Sequence, residues 1–174
     1  MSKIYTKKGD QGHTQVYLEK TERLAKSDEI LQVYGELDEL NCHIGLLISL
    51  SKTPNPLLSS LQNQLFEVGF AISATSTLSE EDVQAIETEI DRLSQDIPEQ
   101  RSFILPGGAV SASQSHICRA VCRRAERALV ALSEKHQVPA VILQFINRLS
   151  DYFFVLARYE NAVSGVKDVE KVSR

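Results

Sequence analysis

Apolar residues recur at intervals of three and four over most of the chain. Ile30, Val33, Tyr34, Leu37, Leu40, Ile44, Leu47 and Ile48 form one stripe of an amphipathic helix, which Pro54 and Pro56 close. Leu58, Leu61, Leu65, Val68 and Ile72 predict a second helix from Leu57 to about Ala74. Ser79 opens a third with a capping box in which Asp82 replaces the usual Glu, and Val83, Ile86, Ile90 and Leu93 carry it toward Pro98. A fourth follows Pro106-Gly107-Gly108 and runs to about Lys135. A fifth follows Pro139 through Ile142, Phe145, Ile146, Leu149, Phe153 and Leu156. No segment reads as a convincing strand. The expected fold class is all-α, a five-helix bundle in a single domain spanning 1–174. Its parts are a polar arm at 1–27, rich in Lys, Gly, Thr and Asp, the bundle at 28–163, and a loose polar tail at 164–174.

At 174 residues the chain is long enough for one well-buried core. A net charge of −4 at pH 7 argues against general nucleic-acid binding, so any anion site must be local. Apolar runs such as Ile44–Leu50 are too short to span a bilayer, and the N-terminus has no apolar signal core. A cytoplasmic protein without a membrane partner is expected. Cys42, Cys118 and Cys122, an odd number, are expected to be reduced thiols.

The local charge stands on the fourth helix. At about 100° per residue, Arg119, Arg123 and Glu126 share a sector, flanked by Arg124 and Arg127. Ile117, Val121, Ala125, Ala128 and Leu132 take the other side and are expected to face the core. A solvated charged face is the ordinary reading of such a helix. The sharper one is an anion site, because guanidinium forks match phosphate oxygens and four arginines within nine residues otherwise repel one another. On the fifth helix Asn147, Asp151, Phe154 and Arg158 likewise share a sector opposite the apolar set. A partner subunit would cover both faces, with Asp38 on the first helix offering a carboxylate to an arginine across the interface.

Other chemistry finds little support. His116, Cys118 and Cys122 sit on one helix, but no second ligand pair with zinc spacing exists. His13, His43 and His136 have no triad partners in a recognisable order, and there is no Walker-type loop.

Five segments together carry a resemblance: KIYTKKGDQGHTQ (3–15), YGELDELNCHIGL (34–46), FILPGG (103–108), CRRAER (122–127) and FINRLSDYFFVLAR (145–158). In order and spacing they resemble the PduO-type ATP:cob(I)alamin adenosyltransferases over nearly the whole chain. The resemblance implies a five-helix bundle assembled as a homotrimer with sites between subunits. The implied reaction transfers the 5′-adenosyl group of ATP to the cobalt of cob(I)alamin, releasing triphosphate. The alternative on the same fold is a non-catalytic carrier of adenosylcobalamin or a nucleotide sensor, and a plainer rival is an oligomerisation module with no small-molecule site. A corrinoid reductase upstream and an adenosylcobalamin-dependent acceptor enzyme downstream are the candidate protein partners.

The resemblance also implies residue roles. Thr6, Lys7, Lys8, Gly9, Thr14 and Gln15 of the arm would hold the ATP phosphates. Lys26, Arg123, Arg124 and Arg127 complete the clamp, and Asn147 contacts the nucleotide. Mg²⁺ would accompany ATP, with Glu126 as its charge partner or outer-sphere ligand. Asp38 and Arg119 would form an inter-subunit ion pair beside the corrin. Phe103 would displace the corrin's lower base, although by composition alone a phenylalanine is ordinary core. Lys8 stands where the family usually has a small or hydroxyl residue, and VYLEKTERLAK (16–26) replaces a glycine-rich stretch.

Overall fold

A computed structural model describes residues 3–17, 21–73 and 75–172. Five helices make up the body: α1 (Glu29–Leu50), α2 (Pro56–Ser73), α3 (Glu80–Ser94), α4 (Val110–Ser133) and α5 (Ala140–Val163). Their boundaries follow local chemistry. Asp28 caps α1 by accepting from the Ile30 N–H at 2.9 Å. Pro56 takes the first position of α2, where its missing N–H costs nothing. Asp82 closes the box at the start of α3 by accepting from the Ser79 N–H at 2.9 Å. The expected end of the second helix at Ala74 lies outside the described residues.

Packing runs in the order α2, α1, α4, α5, α3, so α4 and α5 hold the centre. Leu40, Ile44, Leu47, Phe145, Tyr152 and Phe153 are all fully buried. By length and composition alone α5 could cross a membrane, contrary to the expectation that no apolar stretch is long enough, but 50% of its apolar window is buried inside the bundle.

Four expectations are corrected. The chain does contain strands: β1 (His13–Tyr17) and β2 (Thr21–Ala25) pair antiparallel as a hairpin in the arm, with His13 opposite Ala25. Val16 and Leu24 of that hairpin pack onto the bundle core. The tail is tied down: β4 (Val169–Glu170) pairs with β3 (Ile104–Leu105), ahead of the Pro-Gly-Gly turn, while residues 173–174 lie outside the description. Ile117 faces outward at 44% exposure, because Cys118 and Cys122 occupy the core positions of α4. Finally, Arg158 does not belong to an open polar face; it is 8% exposed and paired with Asp168 at 2.8 Å.

Candidate functional site

The arm hairpin builds a concave surface of about 1190 Å³, and Thr6, Lys7, Lys8, Gly9, Thr14, Gln15 and Lys26 all line it. Tight turns shape it: Lys7 (φ 59°) and Gly12 (φ 76°) adopt left-handed backbone. Lys26 closes the loop by donating its N–H to the Gly12 carbonyl at 2.9 Å. At Gly9 a Cβ would come within 3.3 Å of the Lys26 ammonium, so glycine lets that charge lie across the loop. Among the described lining residues Lys7, Lys8, Arg23 and Lys26 face a single carboxylate, Asp10. None of the four cations is ion-paired among the described residues. Such a surface suits a polyanion.

Arg23 and His13 also line this surface, and the sequence reading missed both. Only the pairing register reveals them: in the hairpin His13, Gln15, Arg23 and Ala25 share one face and Thr14, Val16, Glu22 and Leu24 the other.

The arginines of α4 divide. Arg124 turns toward α1 and pairs with both Glu36 and Glu39; Glu36, whose other oxygen accepts from Gln32 at 2.7 Å, is 8% exposed. Within the chain Arg124 is therefore ion-paired, although it still lines a cleft together with Arg119 and Arg127. Arg123 and Arg127 are exposed and have no carboxylate partner among the described residues, and Arg127 donates to the Arg123 carbonyl at 3.0 Å. Glu126 and Asn147 meet across α4 and α5, with the Asn147 amide donating at 2.8 Å.

A cleft of about 570 Å³ joins this helix face to the Pro-Gly-Gly turn, lined by Arg119, Arg127, His116, Pro106 and Gly107 among others. Arg119 Nε and both ring nitrogens of His116 are buried there without hydrogen-bond partners. Burial first, and the Arg119 charge second, lower the His116 pKa from its ordinary value of 6.5, so the ring is neutral at pH 7. Cys118 and Cys122 do not converge with it on a metal. The Cys122 thiol donates to the Ile146 carbonyl at 3.3 Å, and no cluster of three or more His, Cys, Asp or Glu side chains exists among the described residues.

Asp38 lies elsewhere, on an apolar cleft of about 530 Å³ between α1 and α2. Tyr34, Leu37, Leu65, Phe66 and Phe70 supply its walls, and Asp38 is the one charged residue among its described lining. Phe66 and Phe70 are 61% and 51% exposed. The sequence reading missed this cleft because Phe66 and Phe70 lie four apart on the helix face opposite the α2 core stripe. Asp38 and Arg119 do not meet within one chain; they face different clefts. Phe103 is no core residue either, since its ring is 79% exposed beside the Lys171 N–H that holds its carbonyl at 2.7 Å.

Taken together, a cationic hairpin, a helix face whose Arg119, Arg123 and Arg127 have no carboxylate partner among the described residues, and an apolar cleft with one carboxylate in its described lining define a helical protein suited to a polyanionic ligand and a large apolar one. The chain belongs to the cobalamin adenosyltransferase family, whose model matches residues 4–160. It is 42% identical to the corrinoid adenosyltransferase of Bacillus subtilis, over 97% of this chain and 91% of that one. It is 40% identical to the cobalamin adenosyltransferase of Cupriavidus metallidurans, over 97% of this chain and 94% of the relative. Among solved structures, a variant PduO-type ATP:corrinoid adenosyltransferase from Lactobacillus reuteri, complexed with cobalamin and ATP, superposes with a TM-score of 0.91 at 36% identity, covering 98% of this chain and 100% of that one.

Proposed function

We propose that this protein transfers the 5′-adenosyl group of ATP to the cobalt of cob(I)alamin. The observation that carries the reading is the match in shape over nearly the whole chain, at 36% identity, to a relative complexed with cobalamin and ATP. The cationic arm adds support, because Thr6, Lys7, Lys8, Gly9, Thr14, Gln15 and Lys26, all expected to face phosphate, line one surface.

In this reaction the cobalt electron pair forms the Co–C bond at C5′. The C5′–O bond breaks, and its electron pair leaves with triphosphate. Cobalt is the nucleophile, so the protein's tasks are to bind the leaving group, align the two substrates and exclude water. Lys7, Lys8 and Lys26 hold the triphosphate from the arm, with backbone N–H groups of the Gly9 loop alongside. Arg123 and Arg127 add charge from α4, and Asn147 contacts the nucleotide. Thr6, Thr14 and Gln15 supply neutral hydrogen bonds. Mg²⁺ would arrive with the phosphates and neutralise their charge, with Glu126, which accepts from the Asn147 amide, as the nearby carboxylate.

The apolar Tyr34 to Phe70 cleft suits the corrin face. Asp38 and the unpartnered Arg119, each facing a different cleft, pair most simply with their counterparts on neighbouring chains. A homotrimer with sites between subunits satisfies both, and it operates in the cytoplasm. Phe103 excludes the lower base and leaves cobalt four-coordinate. Within this single domain the arm (1–27) serves ATP, the bundle (28–163) the interface and corrinoid, and the tail (164–174) the Phe103 turn.

Anaerobic incubation of chemically reduced cob(I)alamin with Mg-ATP tests the proposal. Loss of the Co(I) absorption with formation of adenosylcobalamin is expected. Binding of both ligands without turnover would leave a carrier in its place.

A further inference from the structure

The tail is polar and has no helical period, yet it is bound to the bundle at every turn. After α5, Gly165 (φ 68°) reverses the chain, and the Val166 N–H donates to the Asn161 carbonyl at 2.9 Å. Two residues after Val166, Asp168 brings its carboxylate back onto α5. One oxygen accepts from Arg158 Nε at 2.8 Å and the other from Asn161 Nδ2 at 3.0 Å. Arg158 and Asn161 are only 8% and 2% exposed.

Both donors also hold something else. Arg158 donates to the Pro98 carbonyl at 2.7 Å, fixing the loop that enters β3. Asn161 donates to the Gly107 carbonyl at 3.1 Å and accepts from the Ala109 N–H at 2.9 Å. Gly108 (φ 109°) passes so close that a Cβ would sit 2.1 Å from Asn161 Oδ1. From the other side, Lys171 donates its N–H to the Phe103 carbonyl at 2.7 Å, and β4 pairs with β3. The segment 103–109 is thus tied at both ends, at Gly107 and Ala109 through Asn161, a direct partner of Asp168, and at Phe103 through β4 and Lys171, which follow Asp168 in the chain.

We propose that Asp168 is a positioning residue, the latch of a C-terminal strap that fixes the backbone of the Phe103–Ala109 turn and thereby aims the Phe103 ring. The ring is 79% exposed, so little packing orients it. Its direction is set by the backbone that carries it, and a group that must meet one face of a substrate needs that backbone preorganised. The functional consequence rests on the reading of Phe103 given above; the mechanical one does not.

The test compares the full chain with Asp168→Ala and with Lys171→Pro. The second variant deletes the N–H that holds Phe103 and leaves the Arg158 pair intact, which covers the case that Asp168→Ala fails to fold. Amide hydrogen exchange within 103–109 is expected to quicken at least tenfold in both, with the interior of α4 and α5 unchanged. Paramagnetic resonance of bound cob(II)alamin with Mg-ATP is expected to show a several-fold smaller four-coordinate fraction, while the Kd for Mg-ATP stays within twofold. Unchanged exchange in a folded Asp168→Ala would overturn the latch whatever Lys171→Pro does; if Asp168→Ala fails to fold, unchanged exchange in Lys171→Pro would overturn the strap. Faster exchange with a full four-coordinate signal would overturn its role in aiming Phe103. A missing four-coordinate signal in the unsubstituted chain would strike the reading of Phe103 itself, and exchange alone would then decide the latch.

Discussion

Phe103→Ala separates function from stability. The residue is 79% exposed, so about a fifth of a side chain that offers roughly 200 Å² is taken as covered. That is roughly 40 Å², and at about 25 cal/mol per Å² it stands for about 1 kcal/mol. In a chain of this size about 1 kcal/mol moves Tm by about 2–4 °C. A core phenylalanine such as Phe145, fully buried in α5, would instead cost about 3–5 kcal/mol on truncation, or roughly 6–20 °C. Thermal melts of Phe103→Ala and Phe145→Ala at one protein concentration check this contrast. Cob(II)alamin is still expected to bind Phe103→Ala, but with its lower base on, so that the four-coordinate resonance signal disappears. A Tm loss above about 6 °C would mean that the ring is a packing residue, and a normal four-coordinate signal would refute its role at cobalt.

Three further outcomes are expected. Arg123→Ala should keep its helical content and melt within about 1–2 °C of the parent, because surface substitutions stay within about 0.5 kcal/mol. It should lose roughly 10- to 150-fold in kcat/KM for ATP, the worth of about 1.5–3 kcal/mol for a charge-assisted contact; an unchanged rate would remove Arg123 from the clamp. The buried His116 has a folded pKa below its ordinary 6.5, so below pH 6.5 the unfolded chain takes up the proton first and stability falls with falling pH. His116→Gln should flatten the slope of Tm between pH 7 and 5, and an identical slope would show that His116 titrates equally in both states. Burial raises the Cys118 thiol to about 12 and the Cys122 thiol well above its ordinary value, whereas Cys42 is exposed. A thiol-reactive dye at pH 7.5 should therefore label one cysteine per native chain and three after denaturation.

The helices were legible because their physics is local. Side chains three and four apart must share a face, and caps such as Asp28 and Ser79 with Asp82 act within one turn. The error at Ile117 was a shift of one position: Cys118 and Cys122, weighed as possible ligands, are small apolar core residues here. The arm hairpin escaped notice because only Val16 and Leu24 point at the bundle, too few for a period of two to stand out from the charges around them. Seven of the residues expected around phosphate nonetheless line one surface of the arm.

What the sequence determined by itself was the helical architecture, the family, and the residue types on each helix face. Tertiary structure decided which charges are free. Arg124 and Arg158 look as available as Arg123 in a helical projection, yet Glu36 and Glu39 claim the first and Asp168 the second. Those carboxylates come from segments 85 and 88 residues away or from across a chain reversal. Tertiary structure also decided that the polar tail holds the turn carrying Phe103, through hydrogen bonds from Arg158, Asn161 and Lys171. Periodicity records only which neighbours share a face along one element; a carboxylate's partner is set by where the chain returns in space.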